Sequence, residues 1–157
     1  NVTPDAVVLS VGGGGLFCGV VEGLQRNSWN DIPILAVETK GADSLSVASL
    51  ANQHIGIDNI TSIATTLGAK KVAKQAFNCL QEHPTKSHVV TDKDAVDACY
   101  RFLEDHKLMV EPACGASLAA VYQACNFLKD KKNILVIVCG GAGVTVEQLQ
   151  EWRQQTS

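Results

Sequence analysis

Four consecutive glycines, Gly12-Gly13-Gly14-Gly15, stand between an apolar run, AVVLSV at 6–11, and an apolar-periodic stretch that continues to about Gln25. Glycine weakens the interior of both helix and strand, so such a run reads as a loop. The local order is strand, glycine loop, helix. One or two glycines make a tight turn, and four ask for a further reason. Glycine lets an oxyanion approach the backbone closely, and consecutive N–H groups at a helix start form a concave, partly positive nest. A phosphate is the natural occupant of such a loop, with no lysine or arginine required beside it.

The remaining chain repeats the alternation. ILAVE at 34–38 and ILVIV at 134–138 are apolar without polar alternation, as strands covered on both faces require. HVV at 88–90 is a shorter strand-like run. Val72, Ala76, Cys79 and Leu80 recur at helical spacing between 70 and 82, and a short helix fits 43–51. Thr91-x-x-Asp94 has the form of a capping box for a helix to about His106. The stretch 113–129 is apolar nearly all round and predicts a buried helix, and a last helix starts at Thr145. Strands alternating with helices predict an α/β fold, a doubly wound, mostly parallel sheet with helices on both faces. Ligands then sit at the carboxyl ends of its strands.

Composition narrows the partners. With 157 residues, 46% hydrophobic and 18% charged, the chain has the make-up of one folded domain rather than a disordered segment. A net charge of -3 attracts neither nucleic acid nor an anionic membrane. The six cysteines (18, 79, 99, 114, 125 and 139) are isolated, with no Cys-x-x-Cys pair, and read as reduced thiols. No secretory signal is visible, and no apolar run nears the roughly 18 residues of a membrane span, so a cytoplasmic location is expected. His54, His83, His88 and His106 stand alone in polar loops or helix ends, so no zinc site is expected.

A dinucleotide competes with a simple phosphate for the glycine loop. Glu38 ends the next strand about where an acidic ribose binder would sit, but G-x-G-x-x-G fails in both registers, at Phe17 and at Cys18. Cys139, followed by Gly140-Gly141, belongs to the same carboxyl edge. Its thiol is either a hydrogen-bonding partner for a ring nitrogen of a flat cofactor or a small strand-end residue. Glu111 before Pro112 reads as a helix cap, and Glu38 alone as a solvated carboxylate at a strand end.

VVLSVGGGGLFCGV, ILAVETKGADS, MVEPACGASLAAVY and LVIVCGG, in this order and spacing, resemble the vertebrate-type L-serine dehydratases. These are pyridoxal-phosphate enzymes of fold type II, the superfamily of tryptophan synthase β, threonine deaminase and serine racemase. The resemblance implies that Gly12, Gly13, Gly14, Gly15 and Leu16 hold the coenzyme phosphate. It places Cys139 and Gly140 at the pyridine ring, and implies a monovalent cation (K+) at Glu38, Ala42, Ser44, Leu67 and Ala69. The implied reaction is β-elimination of L-serine to pyruvate and ammonia, with L-threonine a second substrate, in a homodimer. Relatives of the racemase type carry Ser at the position of Cys139.

Two departures accompany the resemblance. The Schiff-base lysine of this superfamily lies in a Ser-Phe-Lys-x-Arg-Gly type of segment, and none of the ten lysines here has that setting. No catalytic residue is therefore assigned, and residues 1–157 are expected to be the C-terminal part of the cofactor-binding domain, without the smaller, lysine-bearing one. Ala142-Gly143 also replaces the Ser-Asn or Asn-Asn often found after Cys-Gly-Gly. The alternatives kept open are a Rossmann-like nucleotide- or phosphate-binding module and a non-catalytic protein of the pyridoxal-phosphate fold.

Overall fold

The computed structural model describes residues 2–157. Its sheet has four parallel strands in the order β3-β2-β1-β4, with β1 at Ala6–Ser10, β2 at Ile34–Thr39, β3 at Thr85–Val90 and β4 at Ile134–Val136. The helices are α1 (Gly15–Arg26), α2 (Ser44–Ala51), α3 (Lys74–Glu82), α4 (Asp92–His106), α5 (Pro112–Tyr122) and α6 (Val146–Gln155).

Strand alternation divides the core in two. Val7, Leu9, Ile34 and Ala36 meet Phe17, Val21, Leu45 and Ala76 from α1, α2 and α3. Ala6, Val8, Leu35 and Val37 point the other way, onto Val96, Cys99, Ala116 and Leu149 from α4, α5 and α6. Every residue of β1 and β2 is buried, which explains their uninterrupted apolar sequence. The doubly wound α/β architecture expected from the alternation is the one observed.

Local chemistry sets the ends of the elements. Thr91 accepts from Asp94 N–H (3.1 Å) and Thr91 N–H donates to the Asp94 carboxylate (2.9 Å), so the capping box forms as its spacing predicts. Thr145 and Gln148 form a second box ahead of α6. Two elements end sooner than their sequence suggests. The helix expected over 113–129 closes at Tyr122, because Ala124 takes a left-handed φ of 47°, and a single 3-10 turn, Asn126–Leu128, follows. The strand expected over 134–138 ends at Val136, with one further bond from Ile137 N–H to Val8 O (2.9 Å). As an edge strand β4 pairs only with β1, and Leu135 and Val138 stay largely exposed.

The glycine loop, the turn after β4 and the start of α5 meet at the carboxyl edge of the sheet. Glu111 N–H donates to Gly140 O (3.2 Å), and Ser117 N–H reaches Ser10 Oγ (3.1 Å) at the end of β1. Thr91→Ala should cost about 1 kcal/mol, the usual worth of an N-cap. Denaturant unfolding read on α-helical circular dichroism tests this, with an unchanged denaturant slope expected.

Candidate functional site

A cleft of about 250 Å³ opens at that edge, lined by Ser10, the loop Gly12–Phe17, Thr66, Leu67, Glu111, Ala113 and Cys139. The structure thus brings the glycine loop and Cys139 into one cavity. It puts no lysine among the lining residues.

Gly14 carries the geometry of the loop. It is the N-cap of α1 with φ 95°, and a Cβ there would stand 2.3 Å from Ala76 Cβ of α3. Only glycine meets both conditions. Ala73 N–H donates to Gly13 O (2.9 Å), and the Thr65–Leu67 turn packs so close to Gly12 that a Cβ would be 3.0 Å from Thr66 O. Gly13 and Gly15 face open space. The first helical bond of α1 runs from Cys18 N–H to Gly14 O (2.9 Å), and among the described residues the amides from Gly12 to Phe17 have no backbone partner. A row of unpaired N–H groups at a helix start, lining a cleft, is a seat for an oxyanion. The donor set fits a phosphate.

Cys139 belongs to the irregular chain beyond β4, and its exposed thiol lies at the cleft. Its neighbour is Cys114, fully buried at the third position of α5. The Cys139 thiol and the amides of Cys139 and Gly140 hold the Cys114 thiol down, to about 7, against burial. The Cys114 thiol and burial push the Cys139 thiol up. Sequence reasoning singled out Cys139 and passed over Cys114. The signal was present in Glu111-Pro112-Ala113-Cys114, a thiol in the first turn of a helix that opens at the same edge.

Glu111 is more than a cap. Its backbone O accepts from Cys114 N–H and Gly115 N–H (2.9 Å each), while its carboxylate receives Thr66 Oγ1 (3.3 Å). A Cβ on Gly143 would come within 2.9 Å of Glu111 Oε2. Gly143, without a side chain, leaves room for that carboxylate. Thr66, Glu111, Pro112 and Ala113 also border a neighbouring cavity of about 260 Å³ that reaches Trp152.

Glu38 departs from the solvated carboxylate its sequence position suggests: it is fully buried. Its oxygens accept from Leu45 N–H and Ser46 N–H (2.8 Å each), capping α2 from the end of β2. Burial pushes the carboxyl up to about 8, although both amides pull the other way. So engaged, Glu38 is not aimed at a ribose in the cleft. Ser44 Oγ beside it is buried without a hydrogen-bond partner. Leu67 and Ala69 lie on the turn against the glycine loop, where Ala69 N–H donates to Leu67 O (2.7 Å), and Ala42 shares a core cluster with Leu67. An orphaned hydroxyl beside a buried carboxylate fits a hard cation held by oxygen. Among the described residues no group of three or more His, Cys, Asp or Glu side chains could hold a metal, so such an ion would depend on backbone carbonyls. No described helix is long and apolar enough to cross a membrane.

A four-stranded parallel sheet flanked by helices, with a row of free amides and a thiol in one edge cleft, defines an α/β protein of the doubly wound class. The family model described as "Pyridoxal-phosphate dependent enzyme" matches residues 1–140, and the chain belongs to that family. It is 46% identical to the human protein named L-serine dehydratase/L-threonine deaminase, over 97% of this chain and 49% of that protein. Identity to the L-serine dehydratase of Dictyostelium discoideum is 42%, over 96% and 45%. The crystal structure of a fungal L-serine ammonia-lyase from Rhizomucor miehei superposes with a TM-score of 0.93 at 34% identity, over 98% of this chain and 50% of that one. Maize serine racemase superposes with a TM-score of 0.81 at 28% identity, over 98% and 49%. The chain spans about half the length of these relatives.

Gly14→Ala should destabilise by at least about 1–3 kcal/mol, the usual cost of a strained backbone, since the methyl also overlaps Ala76. Gly13→Ala should leave the melting temperature unchanged and weaken binding of inorganic phosphate. Thermal denaturation with and without phosphate separates the two effects.

Proposed function

We propose that this chain is the cofactor-binding part of a pyridoxal-phosphate-dependent ammonia-lyase that eliminates water from L-serine, and from L-threonine as a second substrate. The carrying observation is the union, in one cleft, of the unpaired Gly12–Phe17 amides with the thiol of Cys139. The names of its relatives, L-serine dehydratase above all, agree with this reading.

Pyridoxal phosphate supplies an electron sink for the substrate α-carbon when bound. The residues of this chain bind and orient. The amides of Gly12 to Phe17, with Leu16 in the first turn of α1, take the phosphate oxygens. Cys139 and Gly140 would face the ring, and Cys139 Sγ keeps its proton because Cys114 and burial push its pKa up. A neutral thiol is a weaker partner for a ring nitrogen than a carboxylate. Beside the ring, it would leave the bound cofactor a weaker electron sink than a carboxylate would.

Glu38, Ser44 and the backbone carbonyls of Ala42, Leu67 and Ala69 are proposed to hold a monovalent cation, with K+ the expected ion. Bound there, it would satisfy the orphaned Ser44 Oγ and brace the turn against which Gly12 packs. The Schiff-base lysine is not among the ten of this chain, and we infer that it comes from the part of a longer polypeptide that the relatives possess.

Pyridoxal phosphate should raise the melting temperature and change the fluorescence of Trp152, which borders the neighbouring cavity, while pyridoxal without its phosphate should do neither. Protection by NAD in place of pyridoxal phosphate would instead establish a nucleotide module. Joined to the lysine-bearing part, the polypeptide should release pyruvate from L-serine. Exchange of K+ for tetramethylammonium should lower the melting temperature, and Glu38→Gln should abolish that difference.

A further inference from the structure

We propose that Glu111 is a positioning residue of the cleft: it straps the turn that carries Cys139 to the turn beneath the glycine loop, and it sets a negative charge in the same cleft as that thiol. Glu111 is the N-cap of α5, yet its carboxylate makes no capping bond. A capping side chain accepts from an amide two or three residues on. The amide of Cys114, where such a bond would land, goes to the backbone O of Glu111 (2.9 Å). The carboxylate turns instead to Thr66 Oγ1 (3.3 Å). Thr66 belongs to the Thr65–Leu67 turn, and its O would stand 3.0 Å from a Cβ on Gly12. On the other bank Glu111 N–H donates to Gly140 O (3.2 Å). Residues 109–111 and 140–143 press together there. A Cβ on Gly141 would meet Met109 O at 2.2 Å, and one on Gly143 would meet Glu111 Oε2 at 2.9 Å. A single residue thus holds both banks, by its backbone on one side and its carboxylate on the other.

The charge follows from the same placement. Glu111 and Cys139 line one cleft, and they are the two ionisable side chains among its lining residues. The neighbouring cavity adds Thr65 and, from α6, Gln148 and Trp152, none of them charged. None of the three ion pairs among the described residues includes Glu111. The other titratable groups around it are thiols, Cys114 of α5 and Cys99 of α4, both fully buried. A carboxylate without a counter-ion opposes a second negative charge nearby, and more so where water is partly excluded. Ionised Glu111 therefore disfavours a thiolate at Cys139. Resting on the function proposed above, the strap fixes the span between the phosphate seat and the thiol at the ring nitrogen, and the charge helps to keep that thiol neutral.

Two variants separate strap from charge. Glu111→Gln removes the charge and keeps an acceptor for Thr66; Glu111→Asp keeps the charge, and one methylene less takes it away from Thr66. Alkylation of Cys139 by iodoacetamide, read on its own peptide by mass spectrometry, needs no cofactor. At pH 8 it should quicken about threefold to tenfold in Glu111→Gln as the thiolate fraction rises, and stay at the unaltered rate in Glu111→Asp. Equal quickening in both variants, the mark of a merely loosened turn, or none in Glu111→Gln, would overturn the charge. Should Glu111→Gln fail to fold by circular dichroism, the unaltered chain serves: added salt should quicken its alkylation by screening the carboxylate, and indifference to salt would overturn the charge. In Glu111→Asp pyridoxal phosphate should bind about threefold to tenfold more weakly, the usual net worth of one hydrogen bond, with inorganic phosphate bound as before. Unchanged affinity for pyridoxal phosphate would overturn the strap. Failure of the unaltered chain to bind pyridoxal phosphate would instead remove the function proposed above, and the alkylation rates would still decide whether Glu111 acts on Cys139.

Discussion

The left-handed turn at Gly14 is the constraint from which the site follows. With φ at 95° and Ala76 filling the space a side chain would need, the chain has one way to leave β1 and enter α1. That path starts α1 at the sheet edge with its leading amides unpaired, and Ala73 N–H on Gly13 O ties the loop to the approach of α3. The nest is therefore shaped by packing, before any anion arrives. Preorganised donors of this kind bind without the ordering cost that a mobile loop would incur.

The charges around the cleft make sense in the same terms. No lysine or arginine lines it, so the attraction for an anion comes from backbone dipoles at the start of α1. The nearby carboxylates are each occupied. Glu111 is held by Thr66 and fitted beside Gly143, and Glu38 is spent on the first amides of α2. The three ion pairs among the described residues all lie on helix surfaces, so Glu38 has no cationic side chain to balance it.

Much of this was legible from the chain. β1 and β2 announce themselves as uninterrupted apolar runs because both faces are covered, and α4 because Thr91 and Asp94 are spaced for reciprocal capping. The strand, glycine loop and helix are legible because four consecutive glycines suit neither strand nor helix interior. What sequence hid depended on contacts between distant residues. Nothing near Glu38 shows that α2 will fold back to cap itself on that carboxylate. His83 reads as polar helix-end sequence, yet it is buried, with its ring in hydrogen-bond contact with Ile32 O (2.9 Å). Ala124 ends α5 by adopting a conformation that its own propensity, the best of all residues for helix, opposes. Cys114 gained meaning only when the turn after β4 was seen beside it.

The groups that make the site are also those a fold built for stability alone would avoid. Unpaired amides from Gly12 to Phe17, an orphaned Ser44 hydroxyl and a buried Glu38 each leave polar capacity unmet or desolvated, and none is offset by a neighbouring side chain of opposite charge. They are tolerable because most cluster at one edge of a sheet whose two cores are otherwise closely filled. On the function proposed above, an anion and a cation would complete them. A ligand present at a hundred times its dissociation constant adds about 2.7 kcal/mol to the stability of the state that binds it. Such a fold is least stable empty, and its stability rises at the place where it binds.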